Sequence, residues 1–532
     1  MPQYVTSVGM EVHAELLTRS KMFCRCPVAF GGEPNTRVCP VCLGMPGTLP
    51  VPNQAAIEMV LRTALALNCT IAMDSVFHRK NYFYPDLPKG YQVSQYGETN
   101  PLGYGGWLDI GTKRVRIRRV HLEEDTGKLM HIPGGGAGVD FNRAGVPLME
   151  IVTDFPPDIE SSDDARDYLV QLRQVLLYLG VCDGKMEQGS LRCEPNISVR
   201  PEGSSEYGTK TELKNLNSFR SVQLGVKFET ERQAKVIEEG GQIVQETRGW
   251  DEQTESSFLM RTKESEQDYR YFPDPDLVPM QFDEPYIASL RASLPELPIA
   301  KRKRFMSKYN LREDQAEVLE ETQGLAAYFE VTVEGIVTLA AQNQLPFDYA
   351  AAAQSAYRWI AESLKKNLNE FGREIRLIVP QSGQQVPSFV LKMEPGKFDF
   401  KGIPIIVSKD DGRSPALVPT YLPPDHTAWI GFSTLSGSVS GSVGKALLDE
   451  SFRSGKDPKT IVEEGGLTQI SDENEIARVV EEAMAQNPDA VEKYRAGKTG
   501  VIGFLVGKAI QASGGRANPQ MVQQEMKRRL DG

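Results

Sequence analysis

The chain has no apolar run approaching the roughly 18 residues that a bilayer-spanning helix needs. Its start, Met1-Pro2-Gln3-Tyr4, carries neither a basic n-region nor an apolar h-region. These absences predict a cytoplasmic protein with no membrane partner. Cysteine is scarce, seven in 532 residues with four inside 24–42, which is too few and too local for a secreted disulfide framework. An excess of positive charge is missing as well. Sixty basic against 71 acidic side chains leave a net charge of −11, which argues against wholesale nucleic-acid coating and against DNA as a partner. There is no internal repeat and no low-complexity tract. With 40% hydrophobic and 25% charged residues, neither general disorder nor a collagen-like chain fits. At about 100–200 residues per domain, the length predicts roughly three or four folding units.

Familiar nucleotide and hydrolase signatures are also missing. Gly497-Lys498-Thr499 ends like a Walker A loop, but its first glycine would have to be residue 492, which is Glu492. No Gly-x-Gly-x-x-Gly opens a helix and no Gly-x-Ser-x-Gly occurs, so dinucleotide-fold and α/β-hydrolase readings lack support. Any ATP site in this chain is of another kind.

What is present points to an α+β protein. Residues 1–293 read as one mixed α/β unit, with strand-like runs at 5–15 and 114–122 between Gly- and Pro-rich loops such as Pro133-Gly134-Gly135-Gly136. One helix is well signalled. Ser161 and Ser162 are cap candidates, Asp163 and Asp164 suit the positive N-terminus, Ala165, Tyr168, Leu169, Leu172, Leu176 and Leu179 repeat at helical spacing, and Gly180 ends it. Residues 294–371 have a helical texture. Residues 372–430 change to short β-like runs (375–379, 389–391, 403–407) between prolines and read as a small inserted unit whose role is not legible. Residues 431–532 return to helices and end in a small bundle, punctuated by the Asp472/Glu475 capping-box pattern and by Asn487-Pro488 and Asn518-Pro519. The segment 498–532 carries +4 while the rest carries −15. That asymmetry fits a polyanion-facing appendage, and equally an ordinary solvated helical face.

Three constellations carry chemistry. Cys24-x-Cys26 and Cys39-x-x-Cys42 offer four thiolates at tetrahedral zinc spacing. Four thiolates saturate the ion, so such a site is structural, the alternative being free thiols. In Val8-Gly9-Met10-Glu11-Val12-His13-Ala14-Glu15, period-2 alternation sends Val8, Met10, Val12 and Ala14 to one face and Glu11, His13 and Glu15 to the other. A carboxylate beside an imidazole is half of a divalent-cation site. Glu123, Glu124, Asp125 and Glu150 are candidates for the rest, although each alone is more often a solvated or paired charge. Cations suited to phosphate surround them in sequence: Arg79-Lys80, Lys89, Arg192, Arg200, Lys210 and Lys214-Asn215-Leu216-Asn217. Finally, residues 79–91 interleave aromatics with cations, and Asp268-Tyr269-Arg270-Tyr271-Phe272-Pro273 repeats that texture. Stacking on a single-stranded nucleic-acid end and a core aromatic cluster rimmed by charge both fit.

At these residues the sequence closely resembles the B-subunit family of the aspartyl/glutamyl-tRNA(Asn/Gln) amidotransferases. The matching stretches include Gly9-Met10-Glu11-Val12-His13, Cys39-Pro40-Val41-Cys42-Leu43-Gly44-Met45-Pro46-Gly47, His121-Leu122-Glu123-Glu124-Asp125, Asn142-Arg143-Ala144-Gly145-Val146-Pro147-Leu148-Met149-Glu150 and Gly514-Gly515-Arg516-Ala517-Asn518-Pro519. The resemblance implies a large mixed-sheet, kinase-like cradle followed by helical and tRNA-binding tail domains. It implies a reaction in which ATP phosphorylates the side-chain carboxylate of Glu-tRNA(Gln) or Asp-tRNA(Asn) and ammonia, made on a separate A (glutaminase) subunit, displaces phosphate. A small C subunit completes the heterotrimer. Position by position it implies Mg²⁺ on Glu11, His13, Glu124 and Glu150, with Lys80 also catalytic. Nucleotide, phosphate or acceptor-end contacts would come from Lys80, Glu194, Ser198, Arg200, Lys214, Asn215 and Asn217. Structural Zn²⁺ would sit on Cys24, Cys26, Cys39 and Cys42. This chain departs from the family where Arg192-Cys193-Glu194-Pro195-Asn196-Ile197-Ser198 replaces the usual Asp-Ala by Glu194-Pro195, and in residues 372–430. A non-catalytic tRNA-binding scaffold is the alternative reading.

Overall fold

The computed structural model describes residues 4–131, 135–262, 269–370, 373–377, 405–409, 422–467, 469–470 and 472–531. They form two compact units, Met1–Ala300 and Lys301–Gly532.

The first unit is built on a nine-stranded mixed sheet. In chain order its strands are β1 (Tyr4–Glu15), β2 (Thr70–Ile71), β3 (Gly103–Asp109), β4 (Arg114–Glu124), β5 (Pro147–Thr153), β6 (Leu191–Pro201), β7 (Thr211–Lys214), β8 (Glu246–Asp251) and β9 (Ser256–Thr262). In space they run β9-β8-β7-β6-β1-β5-β4-β3-β2, so the first strand of the chain lies at the centre. All pairings are antiparallel except β7 with β8, which are joined by a helical crossover. The alternation in β1 works as its sequence dictates: Val8, Met10, Val12 and Ala14 enter the core at 1% exposure or less. Val115, Ile117, Val120 and Leu122 of β4 and Met149 and Ile151 of β5 join the same core. Three helices supply its other half: α1 (Gln54–Ala66), α2 (Ser162–Leu179) and α3 (Phe219–Glu238). Helix α2 is bounded as its caps require. The Ser161 side chain accepts from the Asp164 N–H, and Gly180 closes the C-terminus at φ 65°. Truncating one of its core residues, such as Leu169, would cost about 2–5 kcal/mol. Covering the apolar face with helices leaves the opposite face of the sheet to its polar side chains.

The second unit is helical and holds two cores. One is made by residues between Phe305 and Leu368, with Ile375, and resumes at Leu422, running to Val462; helices on both sides of residues 372–430 therefore share it. Its central helix, Gln323–Gln342, is long and apolar enough to span a bilayer by length and composition, but 67% of its most apolar window is buried inside the protein. Glu330 and Glu334 on that helix pair with Arg304 and Lys308, as befits a core helix rimmed by charge. Of the β-like runs expected in 372–430, Arg373–Leu377 pairs antiparallel with Ile405–Lys409. The run at 389–391 lies outside the described residues. The last core, from Ile470 to Leu530, is the terminal bundle. Asp472 caps Glu473–Gln486 by accepting from the Asn474 and Glu475 N–H groups, and Asn518 likewise accepts from Gln520 and Met521 at the start of Pro519–Asp531. Two of the tail's basic residues are already paired: Arg528 with Glu525, and Arg529 with Glu525 and Glu481. Glu525 is already inside the +4 of residues 498–532, so of these two acids only Glu481 offsets that charge from outside the segment.

Candidate active site

Cross-strand register assembles the site on the polar face. His13 of β1 lies opposite Glu150 of β5, and Glu150 lies opposite His121 of β4, so one row crosses three adjacent strands. On the other side of β1, Glu11 faces Glu194 of β6 and Ser7 faces Ser198. His13 Nε2 is 3.7 Å from both Glu123 Oε1 and Glu150 Oε2. His121 Nε2 is 2.9 Å from Glu150 Oε2 and 3.7 Å from Glu123 Oε2. His13, Glu123 and Glu150 can each direct one ligand atom to a common ion, all three atoms lying within 4.8 Å of one another. Two carboxylates and one imidazole leave positions open for water and substrate oxygens.

The electrostatics suit that role. Burial would raise the Glu150 carboxyl, but His121, His13 and Arg119 override it and hold it well below the usual carboxylate range. Burial, reinforced by Glu150, Glu194 and Glu212, pushes Glu11 up despite His13, and the Asn196 amide donates to Glu11 Oε1 at 3.2 Å. Lys80 shows the opposite balance: burial would lower its ammonium, and Glu123, Tyr271 and Glu150 raise it.

Glu124, expected in the same group, is elsewhere. Side chains alternate along a strand, so if Glu123 faces His13, Glu124 cannot. It pairs instead with Lys89 and accepts from the Val93 N–H at 3.0 Å. Asp125, one step further, returns toward the polar side and binds Arg192 Nη2 at 2.7 Å. Glu15 beside it is pushed up to about 8 by burial and by the Asp125 carboxylate.

Of the expected phosphate-binding residues, Arg192, Glu194, Lys214, Asn215 and Asn217 line a cavity of about 600 Å³, together with Glu15 and Arg143. Within it Lys214 bridges Glu194 at 2.5 Å and Glu212 at 3.2 Å, so the longer Glu194 keeps a charged partner on the site face. Asn215 sits at φ 63° just before the α3 N-cap Ser218, a left-handed turn that asparagine tolerates. Arg200 is apart from this set, donating to Ser7 Oγ at 3.4 Å and lying 4.2 Å over the Tyr207 ring.

The two aromatic motifs come together. Residues His78–Asn81 form a small sheet with Tyr91–Ser94 and Phe272–Pro273, and Arg79 is fixed by Asp274 and Asp276, both at 2.8 Å. Tyr96 stacks on Tyr271 at 4.3 Å, and Lys80 Nζ lies 4.9 Å over Tyr269. Phe83, Tyr84 and Tyr96 are 81%, 52% and 57% exposed, which decides against a buried aromatic core. Asp268 lies outside the described residues.

The four cysteines of residues 24–42 form a second cluster, again with all four sulfurs within 4.8 Å of one another. They are free of disulfides, and Cys39 Sγ is 3.9 Å from Cys42 Sγ. Sulfurs bound at about 2.3 Å to a tetrahedral zinc lie about 3.8 Å apart, so the arrangement fits that ion. The Cys39 N–H donates to Cys42 Sγ at 3.2 Å, and the Cys24 thiol, the Cys39 amide and Lys21 together lower Cys42 to about 4 despite burial. Sequence reasoning names Glu123 only as one of several acidic candidates, and it does not single out His121 or Lys21: the role of His121 is hidden by an unknown register, and Lys21 looks like an ordinary surface lysine.

Residues 6–288 match the GatB/GatE catalytic domain family, and residues 420–530 match the GatB domain. The chain is 46% identical over 519 residues to the B subunit of an aspartyl/glutamyl-tRNA(Asn/Gln) amidotransferase from Persephonella marina, covering 97% of each protein. It is 45% identical over 524 residues to the protein of that name from Thermodesulfovibrio yellowstonii, covering 98% of each. To the one from Thermoanaerobacter pseudethanolicus it is 44% identical over 532 residues, covering 99% of each.

Proposed function

The chain belongs to the B-subunit family of the aspartyl/glutamyl-tRNA(Asn/Gln) amidotransferases, a ligase component in tRNA-dependent amidation, and from that premise we propose how its residues divide the work. The substrate is Glu-tRNA(Gln), Asp-tRNA(Asn) or both. Its side-chain carboxylate oxygen attacks the γ-phosphorus of ATP, releasing ADP. Ammonia from a glutaminase A subunit then attacks the acyl phosphate carbon, phosphate leaves, and the amide remains. Mg²⁺ held by His13, Glu123 and Glu150, with Glu11 beside them, would neutralise charge on the transferring phosphoryl group. Lys80 and Lys214 place positive charge on either side of that group. Arg200 and Ser198 extend the polar face along β6, and Asn215 and Asn217 offer amides to nucleotide in the cavity. The exposed rings at Phe83, Tyr84 and Tyr96 receive the unpaired acceptor end by stacking. Zn²⁺ on the four cysteines holds a loop. The terminal bundle contacts tRNA, a C subunit clasps the A and B subunits, and the complex works in the cytoplasm.

The observation that carries this reading is the His13–Glu150–His121 row, with Glu123 and Glu11 on the same face. The test is to combine the full chain and its A and C partners with glutamine, Mg-ATP and each mischarged tRNA, and to identify the amino acid released from the tRNA. Conversion of either acid to its amide is expected, and it identifies the substrate. Bound tRNA with neither amide nor tRNA-stimulated ATP hydrolysis would overturn the catalytic assignment in favour of a scaffold, with Glu194-Pro195 the first residues to revert.

A further inference from the structure

Lys21 is the most deeply buried lysine among the described residues, at 1% exposure, and it follows β1 directly into the cysteine loop. Its Nζ donates to Cys42 Sγ at 3.6 Å and to the Phe141 carbonyl at 3.1 Å. Among the described residues it makes no ion pair with a carboxylate, and the neighbouring Glu124 is taken by Lys89. A buried ammonium without a counter-charge is strongly disfavoured. The ionisable partner it does contact is a cysteine sulfur. Four thiolates around a divalent ion carry a net charge of −2, so the buried lysine and the loaded cluster each supply what the other lacks.

The same residues connect the cluster to the sheet. A Cβ placed on Gly145, which has φ +84°, would meet Cys42 Cβ at 3.6 Å, Lys21 Cδ at 3.7 Å and Glu124 Oε2 at 3.8 Å, so these groups pack in one shell. The Met22 N–H donates to the Gly145 carbonyl at 2.7 Å, and the Gly145 N–H donates to the Asp125 carbonyl at 2.9 Å. The Asp125 N–H in turn donates to the Val146 carbonyl at 2.8 Å. Asp125 holds Arg192 on the polar face.

We propose that Lys21 is the counter-ion of the four-cysteine site and a positioning residue, through which metal occupancy sets the turn at residues 141–146 and with it Asp125. The inference rests on the reading of the four cysteines as a zinc site. When the metal leaves, the four sulfurs are no longer held together beside Lys21, and its bonds to Cys42 Sγ and to the Phe141 carbonyl loosen together.

The test uses the full-length protein, wild type, Lys21→Met and Lys21→Arg. Zinc content is measured by elemental analysis, zinc affinity by competition with a chromogenic chelator, and backbone exchange of residues 141–146 by hydrogen–deuterium exchange. Outer-shell partners of metal ligands are worth about 10- to 100-fold in metal affinity. Lys21→Met should therefore weaken zinc binding about tenfold or more, and Lys21→Arg should restore most of it. Cobalt-substituted Lys21→Met should keep the absorption of a tetrathiolate site, showing that the ligands are intact. Exchange at 141–146 should rise both in Lys21→Met and in the wild type stripped of zinc, while exchange in α2 stays constant. Wild-type affinity in Lys21→Met overturns the counter-ion role. Unchanged exchange at 141–146 in zinc-stripped wild type overturns the coupling, and this arm stands even where Lys21→Met does not fold. A wild-type protein that binds no zinc at all overturns the zinc reading itself.

Discussion

Among the described residues, two clusters able to gather a metal ion stand within one unit and differ in what their neighbours do. Around the four cysteines, the Cys39 amide and the Lys21 ammonium point inward at sulfur, and the ligand count is already four. Around His13, Glu123 and Glu150 the count stops at three, and the groups beyond them, His121, Lys80 and Arg119, are themselves charged or able to become so. The first arrangement satisfies an ion completely. The second leaves coordination positions open, and Arg192, opposite His13 on the neighbouring strand, lines a cavity of about 600 Å³. The comparison teaches that ligand count separates the two clusters more clearly than burial does, since both groups mix buried with half-buried members.

Breaking the open cluster should have the largest effect on chemistry. Glu150→Ala is expected to lower amide formation and charged-tRNA-dependent ATP hydrolysis by about 10²–10³-fold or more, with zinc content unchanged, as steady-state assays and elemental analysis would show. Breaking the saturated cluster should act on stability first. Replacing Cys39 and Cys42 by serine should lower Tm by about 5 °C or more in calorimetry and open residues 17–53 to protease. The boundary between the two is sharpened by adjacent carboxylates. Glu123→Ala should raise the Mg²⁺ concentration for half-maximal ATP hydrolysis about tenfold, whereas Glu124→Ala should leave it within about twofold. The smallest effect is one of pH. Glu15, pushed up to about 8, favours the folded state while protonated, so its contribution is complete below the ordinary carboxylate range, near 4.5, and disappears as pH rises through about 8. The urea midpoint of the wild type should therefore decline over that window, and Glu15→Gln should flatten the decline.

Much of this is legible in the amino-acid order alone. The caps of α2, the cysteine spacing and the placement of Glu11 with His13 follow from local rules that need no partner. The choice between Glu123 and Glu124 does not, because their difference is one residue of strand phase and the sequence does not mark where β4 begins. Lys21 is invisible for another reason. A lysine among polar loop residues reads as solvated, and only the fold brings Cys42, Phe141 and Gly145 around it. How the tail's charge is presented is not legible in the order alone: the structure pairs Arg529 with Glu481, 48 residues away in the chain, as well as with Glu525 at i−4.

The central place of β1 also has a cost in time. Its partners β5 and β6 begin at Pro147 and Leu191, so a strand made first must wait for neighbours encoded much later. At about 5–20 residues per second, the interval on the ribosome is on the order of ten seconds or more. Until β5 is made, helices α2 and α3, which share the core with Val8, Met10, Val12 and Ala14, are not yet in place, and both strand edges are open to foreign pairing. Birth order and spatial order are opposed in this protein, and nascent chains stalled between residues 30 and 150 are where holdase chaperones should bind it most.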